Sequence, residues 1–540
     1  MFKRASLLFH TLRYSKPSQL YLKFFGLAKH HLKLVRVPDA PTSLSGELHP
    51  AVAFVYHDDG NRREQIKRGE FRFLNRPENL GVPVDWQAAR LPALWQYNLH
   101  YFNYLYLLEA AEQAELCSDW VRQNPMQSGT GWHPFPTSLR IVNWCKANFT
   151  DAGLLKSLYQ QAAYLYRNYE AHHPGNHLLE NARALIFAGN FFAGQGEASR
   201  WLEKGLAIFR EQTPVQVLSD GGHFERSPMY HALMLEAYLD IINILPADAP
   251  DRNWLVEAAG SMSDFLFSLT KPDGEIALFN DATREIAAPP ARLLNYAKGL
   301  LDYEAKKKNQ FIESGYFIHQ NPEVYLIIDG GRIAPDFLPA HAHADIFSFE
   351  LSINGKPFVV DTGVFEYQAG AMRDFVRSTR AHNTVCIDNQ DQAECWGSFR
   401  VGRRFLPFAV AFSNADGQSQ FSGRFAGYAK LIGDGIIHQR IIACDDSRRE
   451  IKVEDVIEGS GEHLVESLLH FHNQVDIAVQ GNELTLSNDN VSCQLSIEAA
   501  TFHLEDSWYC PEFGLKLKNK ALVIGSRKKL PTRFALTFRY

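Results

Sequence analysis

The sequence predicts an α+β chain in which a domain of helical hairpins precedes an antiparallel β-sandwich. Three observations carry this. Apolar residues recur at helical spacing from about residue 85 to about 305, and that period disappears near 315. Short β-rich runs separated by Gly, Asn and Asp then take over. A chain of 540 residues is also too long for one ordinary core.

In the helical part, segments 91–112, 154–169, 177–192, 198–210, 228–245 and 254–269 carry apolar residues at i, i+3, i+4 and i+7. Breaks at Pro174-Gly175, Gly194 to Gly196, Asp220-Gly221-Gly222 and Pro272-Asp273-Gly274 recur as they would between stacked hairpins, without a strict sequence repeat. In the second part, 325–329, 347–353, 357–361, 436–443, 450–457, 464–472, 484–486 and 534–540 read as strands. Asn354-Gly355 between two of them is a two-residue hairpin signal. The expected domains are 1–80, a basic and aromatic extension packing on the helical domain, then 81–312 helical and 313–540 sandwich.

Composition excludes several classes. Apolar residues at 46% and charged residues at 21% rule out wholesale disorder. A net charge of −6 gives no support to nucleic-acid binding, and no nucleic-acid partner is expected. It leaves an acidic substrate open, because one basic cleft can sit on an acidic protein. Seven scattered cysteines without a CxxC read as mostly free, buried thiols. Aromatics at 12% and 21 histidines suit either a large core or a carbohydrate cleft. Residues Met1 to Phe9 imitate a signal peptide, but His10, Arg13, Tyr14 and Lys16 break the apolar run early. The expectation is therefore a cytoplasmic protein, with the periplasm as alternative. No run approaches the length of a membrane span, so no transmembrane segment is expected.

Four clusters concentrate polar groups. In Pro174-Gly175-Asn176-His177, Asn176 can cap a helix whose first turn holds His177. In the run from Asp220 to His231, Ser227-Pro228 starts a helix and puts Tyr230 and His231 at its N-terminus, beside Arg226. In His341-Ala342-His343-Ala344-Asp345, an extended strand would project two imidazoles and a carboxylate from one face, a donor set suited to a metal such as zinc. The fourth runs from Asp361-Thr362-Gly363 through Arg373, Arg377 and Arg380 to His382-Asn383-Thr384 and could complete a His343, Asp361, His382 set. Each has a plain structural alternative: a helix cap, an amphipathic helix start or a solvated strand face. The metal set also needs a bend. A regular Asn354-Gly355 hairpin pairs Asp361 with Ser348, about 17 Å from His343 along an extended strand.

Tyr and His near cationic and amide groups suit proton abstraction next to a carboxylate. A uronic-acid polysaccharide offers such a proton at C5, acidified once Asn, His or Arg neutralises the carboxylate. Loss of that proton and protonation of the C4 glycosidic oxygen cleave the chain by β-elimination. Neither water nor the Asp/Glu pair of a glycoside hydrolase is needed.

Taken together, the helical hairpins, the Asn176-His177 helix start, Tyr230-His231 after Ser227-Pro228 and His341-Ala342-His343-Ala344-Asp345 resemble the heparinase II/III family of polysaccharide lyases. The resemblance covers roughly residues 80–480 and is most specific from His341 to Thr384. Phe71 to Asn75 and Trp95 to Tyr101 also resemble family members from bacterial polysaccharide gene clusters. The resemblance implies an incomplete (α/α) toroid joined to an antiparallel β-sandwich, with the active site between them. It implies Tyr230 as catalytic acid and potential base, Asn176 and His177 as the carboxylate-neutralising element, and His341 as the catalytic histidine of the second domain. It further implies a structural zinc at His343, Asp361 and His382, and no organic cofactor. Arg140 falls in a stretch resembling a substrate-facing helix and joins Arg226, His231 and Arg380 as expected substrate-binding residues for an acidic polysaccharide. Two alternatives stay open: a metal-dependent hydrolase, and a catalytically silent glycan-binding protein of polysaccharide biosynthesis.

Overall fold

Long helices occupy the chain from Ala93 to Leu301 and strands dominate from Gln310 to Arg539, in a computed structural model that describes residues 2–19, 21–24, 35–498 and 501–540. The expected helices are present at Ala152–Asn168, Asn176–Phe191, Ala198–Gln216, Pro228–Ile244 and Arg252–Leu269. The first expected segment is split into Ala93–Tyr101, a 3-10 turn and Ala110–Gln123, because Phe102 adopts a left-handed conformation at φ 61°. Pro134–Lys146 and Pro290–Leu301 are further helices, each with proline in the first turn, where its missing N–H costs no hydrogen bond. Asn176–Phe191 is buried on nearly every side by the Pro134–Lys146, Ala198–Gln216 and Pro228–Ile244 helices, so it forms the axis of the helical domain.

The second domain is antiparallel. An eight-stranded sheet, a four-stranded sheet and a five-stranded sheet share one apolar core, to which Phe349, Leu469 and Leu536 each contribute from a different sheet. Strands Ile437–Asp445 and Glu450–Glu458 bury every second residue, the pattern of a sheet with one face on a core. The Asn354-Gly355 hairpin forms as expected, with Ile353 opposite Lys356, and a bulge then shifts the register between Ser352 and Leu351. All seven cysteines are free thiols, six of them buried.

Two expectations are corrected. Residues 341–345 are not a strand: the chain bends there, Phe347 takes φ 67°, and regular pairing begins only at Phe349. That is the bend the metal set requires. The N-terminal extension is not confined to the helical domain. Its residues from Val35 to Leu80 join the helical core, whereas the Phe2–Leu12 helix docks on the second domain, where Thr11 Oγ1 donates to the Val401 carbonyl at 3.2 Å. Its residues 1, 20 and 25–34 lie outside those described.

The domains meet through apolar packing of Phe265, Phe279, Tyr316 and Tyr325 and a buried Lys271–Glu350 pair at 3.0 Å. Against the second domain lies segment 276–283, from the loop between the Arg252–Leu269 and Pro290–Leu301 helices, fully buried at Asn280 and Asp281. It positions the site.

Candidate active site

Ser227 caps the Pro228–Ile244 helix as its sequence predicts, accepting from the Tyr230 amide at 3.3 Å. Its hydroxyl donates to the Asp281 carbonyl at 2.7 Å, which ties the helix start to the 276–283 segment at the domain interface. Tyr230 is thereby aimed at the second domain. Its ring lies on that of His341, centroids 4.0 Å apart, and its hydroxyl is 3.1 Å from that of Tyr367. Burial pushes the Tyr230 phenol well above its ordinary range, so it is held protonated.

His341 sits between two carboxylates, with Nδ1 2.9 Å from Asp281 and Nε2 3.4 Å from Glu225. Glu225 reaches back to the helical domain, accepting from the Asn176 amide N–H at 2.9 Å and from its side-chain nitrogen at 3.0 Å. Asn176 is the first residue of its helix rather than the cap, which is Gly175. A side chain at Gly175 would collide with Leu338 and Glu225, and this is why the Pro-Gly break precedes the Asn-His pair. One continuous chain therefore runs Asn176, Glu225, His341, Tyr230.

His177 turns the other way. Its Nδ1 is 3.2 Å from Glu170, and its ring stacks on Phe135 at 4.1 Å with the side chain 28% exposed. Burial alone would lower its pKa, but the Glu170 carboxylate outweighs that and holds it above the ordinary value. Glu170, against an opposing effect of burial, is held at about 2 by His177. The pair's contribution to stability is full between the unfolded carboxyl and imidazole values of about 4.3 and 6.5. It is lost as pH rises through the raised His177 value, and on the acid side as pH falls toward the depressed Glu170 value. Glu170→Gln should therefore lower the His177 titration midpoint, followed by NMR on ring-labelled histidine. An unmoved midpoint would show that Glu170 does not hold the charge.

Asp281 is the hub that sequence reasoning missed. It accepts from His341, from His343 Nε2 at 2.9 Å and from Arg373 Nη2 at 2.8 Å, all buried. Burial would raise its pKa, but Arg373 and the two imidazoles hold it well below the ordinary carboxylate range. Only Phe279-Asn280-Asp281, two polar residues after an apolar run, could have signalled it. Glu225 lay inside a recognised cluster without an assigned role, and nothing local marked Glu170 or Tyr367.

The expected metal set converges but is not closed. His382 Nδ1 is 2.7 Å from Asp361, and the His343 and His382 rings are 5.3 Å apart. His343 Nδ1 and His382 Nε2 are buried without hydrogen-bond partners, and neither carboxylate oxygen of buried Asp345 has a side-chain partner. Burial raises Asp345 to about 6. By donor chemistry the residues fit a divalent ion. Among the described residues, however, no three ligating groups are arranged to hold one.

The four expected substrate-binding residues are a correction. Arg140 is fully buried over the Trp120 ring and donates to Gln161 and to the Gly131 carbonyl at 2.8 Å. The Arg226 guanidinium donates to the Ser314 carbonyl, and His231 Nε2 is 2.9 Å from the Met262 carbonyl. Arg380 pairs with Glu466 at 2.6 Å and Glu505 at 3.2 Å. Their polar groups are committed to the scaffold rather than to the surroundings of Tyr230, where His341 and Tyr367 lie.

Family models match along most of the chain: one described as Heparinase II/III N-terminus at residues 103–310, and one described as Heparinase II/III-like, C-terminal at 304–537. A heparin-sulfate lyase of Pedobacter heparinus is 28% identical over 331 residues, covering 51% of this chain and 47% of that protein. The FtsZ-localized protein C of Caulobacter vibrioides is 25% identical over 418 residues, covering 74% of this chain and 69% of that protein. The chain spans about half the length of the heparin-sulfate lyases it matches. A crystal structure of heparinase III superposes with a TM-score of 0.70 at 17% identity, covering 95% of this chain and 89% of that one, a likeness of fold.

Proposed function

The chain belongs to the heparinase II/III family, and from that premise we propose that it is a polysaccharide lyase cleaving a uronic-acid-containing polysaccharide by β-elimination. The observation that carries this reading is the Tyr230 phenol packed against His341, ring centroids 4.0 Å apart, joined through Glu225 to Asn176. Asn176 and His177, whose protonated form Glu170 favours, stabilise the uronate carboxylate as negative charge develops on it. His341 as base removes the C5 proton, and Tyr230, held protonated by burial, donates to the C4 oxygen as that bond breaks. The products are a new reducing end and a 4,5-unsaturated uronate, with no water consumed.

His343, Asp361 and His382 would hold a structural divalent ion, with zinc the best match to two imidazoles and a carboxylate. When bound it would cross-link the 341–345 bend to the Asp361 and His382 loops, and it takes no part in the chemical steps. Elemental analysis should find about one equivalent of metal per chain in the wild type and none in His343→Ala. A metal-free wild type would remove the ion from the scheme without touching the lyase reading.

The proposal is tested with purified protein and a panel of heparan sulfate, alginate and bacterial exopolysaccharides. At least one should yield product with the ultraviolet absorbance of an unsaturated uronate. A panel without such product, or product formation independent of Tyr230, overturns it.

A further inference from the structure

The Phe2–Leu12 helix docks the wrong way round for a helix whose only purpose is packing. Residues Leu7, His10, Thr11 and Tyr14 form the face turned toward the second domain. Leu7 lies against Gly402, and Thr11 Oγ1 accepts from Trp396 Nε1 at 3.1 Å. The opposite stripe at i, i+3, i+4 and i+7 comprises Ala5, Leu8, Phe9 and Leu12, and it faces outward. Leu8 is 47% exposed, Phe9 65% and Leu12 44%. Nothing among the described residues covers this stripe. At 100° per residue, Arg4 and Arg13 lie on its two flanks, both exposed.

Charge singles out what could cover it. Residues 1–36 contain eight Lys or Arg and no Asp or Glu, in a chain whose net charge is −6. The remainder is thus strongly acidic and repels anionic surfaces, while this segment attracts them. Phe24, beside exposed Lys23, adds a second outward aromatic at 73% exposure. An apolar stripe bordered by arginines suits the boundary of a bilayer, where the side chains enter the acyl region and the guanidinium groups stay among phosphates.

We propose that the Phe2–Leu12 helix is a peripheral docking surface for an anionic lipid bilayer. The helix is anchored on the short hairpin of Cys395–Trp396 and Arg400–Val401, whose turn carries Phe399, 5.1 Å from Tyr367 and 6.2 Å from His341. Ser398 in the same turn accepts from Arg373 at 2.8 Å. Docking therefore sets the edge of the Tyr230 cleft beside the membrane surface, where a polysaccharide leaving or lining that membrane would be met. The docking inference stands on the helix alone and is independent of the lyase reading.

The test is co-sedimentation of the full chain with vesicles of phosphatidylcholine alone and of phosphatidylcholine mixed with phosphatidylglycerol. Binding is expected to the anionic vesicles and to weaken steeply with salt. The double variant Leu8→Glu/Phe9→Glu should lose roughly tenfold or more in binding, with an unchanged melting temperature because both side chains already face solvent. Arg4→Glu/Arg13→Glu should lose binding to the anionic vesicles in the same way. Absence of vesicle binding, equal binding to neutral vesicles, or binding that survives Leu8→Glu/Phe9→Glu overturns the proposal. So does a wild type that self-associates in solution through this face and becomes monomeric on the double substitution, which would assign the stripe to a second copy of the chain.

Discussion

Tyr230→Phe is expected to lower lyase turnover by about 10²- to 10⁴-fold while leaving the fold intact, because a positioned proton donor contributes on that scale. The substitution removes one oxygen. The ring keeps its place on His341 at 4.0 Å, and the helix cap at Ser227 engages the backbone of residue 230, not its side chain. The lost partner is the Tyr367 hydroxyl at 3.1 Å, a cost of about 0.5–1.5 kcal/mol. Initial rates from the ultraviolet absorbance of the unsaturated product, read beside a thermal melt, separate the two effects. A variant that keeps wild-type turnover would remove Tyr230 from the chemistry. One that melts far below the wild type would show that the hydroxyl is structural.

Asp281→Ala should have the largest effect on stability of any single change at the site. The carboxylate is fully buried and serves Arg373, His341 and His343 at once. Its removal leaves the Arg373 guanidinium buried without its countercharge, for which a loss of about 3–5 kcal/mol is typical. Asp281→Asn keeps the volume and lets the amide oxygen accept one bond, so it should destabilise less. Turnover should still fall by roughly tenfold or more, because the amide cannot accept from the arginine and both imidazoles together and His341 loses its orientation. Melting curves and initial rates of the two variants check this pair of outcomes. A melting temperature unchanged in Asp281→Ala would mean that Arg373 finds another partner and that the hub is dispensable.

Several parts of this arrangement were legible from residues alone because the physics behind them is local. Ser227-Pro228 announces a helix start through one capping hydroxyl and one fixed φ, and the helix begins there. Asn354-Gly355 announces a tight turn because few residue pairs tolerate its backbone, and Asn354 and Gly355 stand at φ 47° and 78°. The His341 to Asp345 run stood out as chemistry, but its conformation did not: alternation suggested a strand, while the buried Asn280 and Asp281 opposite it impose a bend.

The arginines mark the other limit. Helical periodicity places Arg140 on a helix but does not say which neighbour its side chain meets, and Trp120 and Gln161 come from different helices. Arg380 was drawn to the site by its nearness in sequence to His382, yet its partners Glu466 and Glu505 lie on strands far along the chain.

What the sequence by itself determined, then, is the order of a helical domain and a sandwich, the helix starts that carry Asn176, His177 and Tyr230, and the family's signature residues. Hydrophobic period, caps and turns act over a few residues, and so they are written there. Only the tertiary structure decided that Glu225 and Asp281 bind these pieces into one site, and that four expected substrate ligands serve the scaffold. It alone turned the apolar stripe of the Phe2–Leu12 helix outward. Burial and charge pairing between segments 60 or more residues apart, as for Asp281 and His341, are properties of the packed chain, in which a polar group's role is set by what surrounds it.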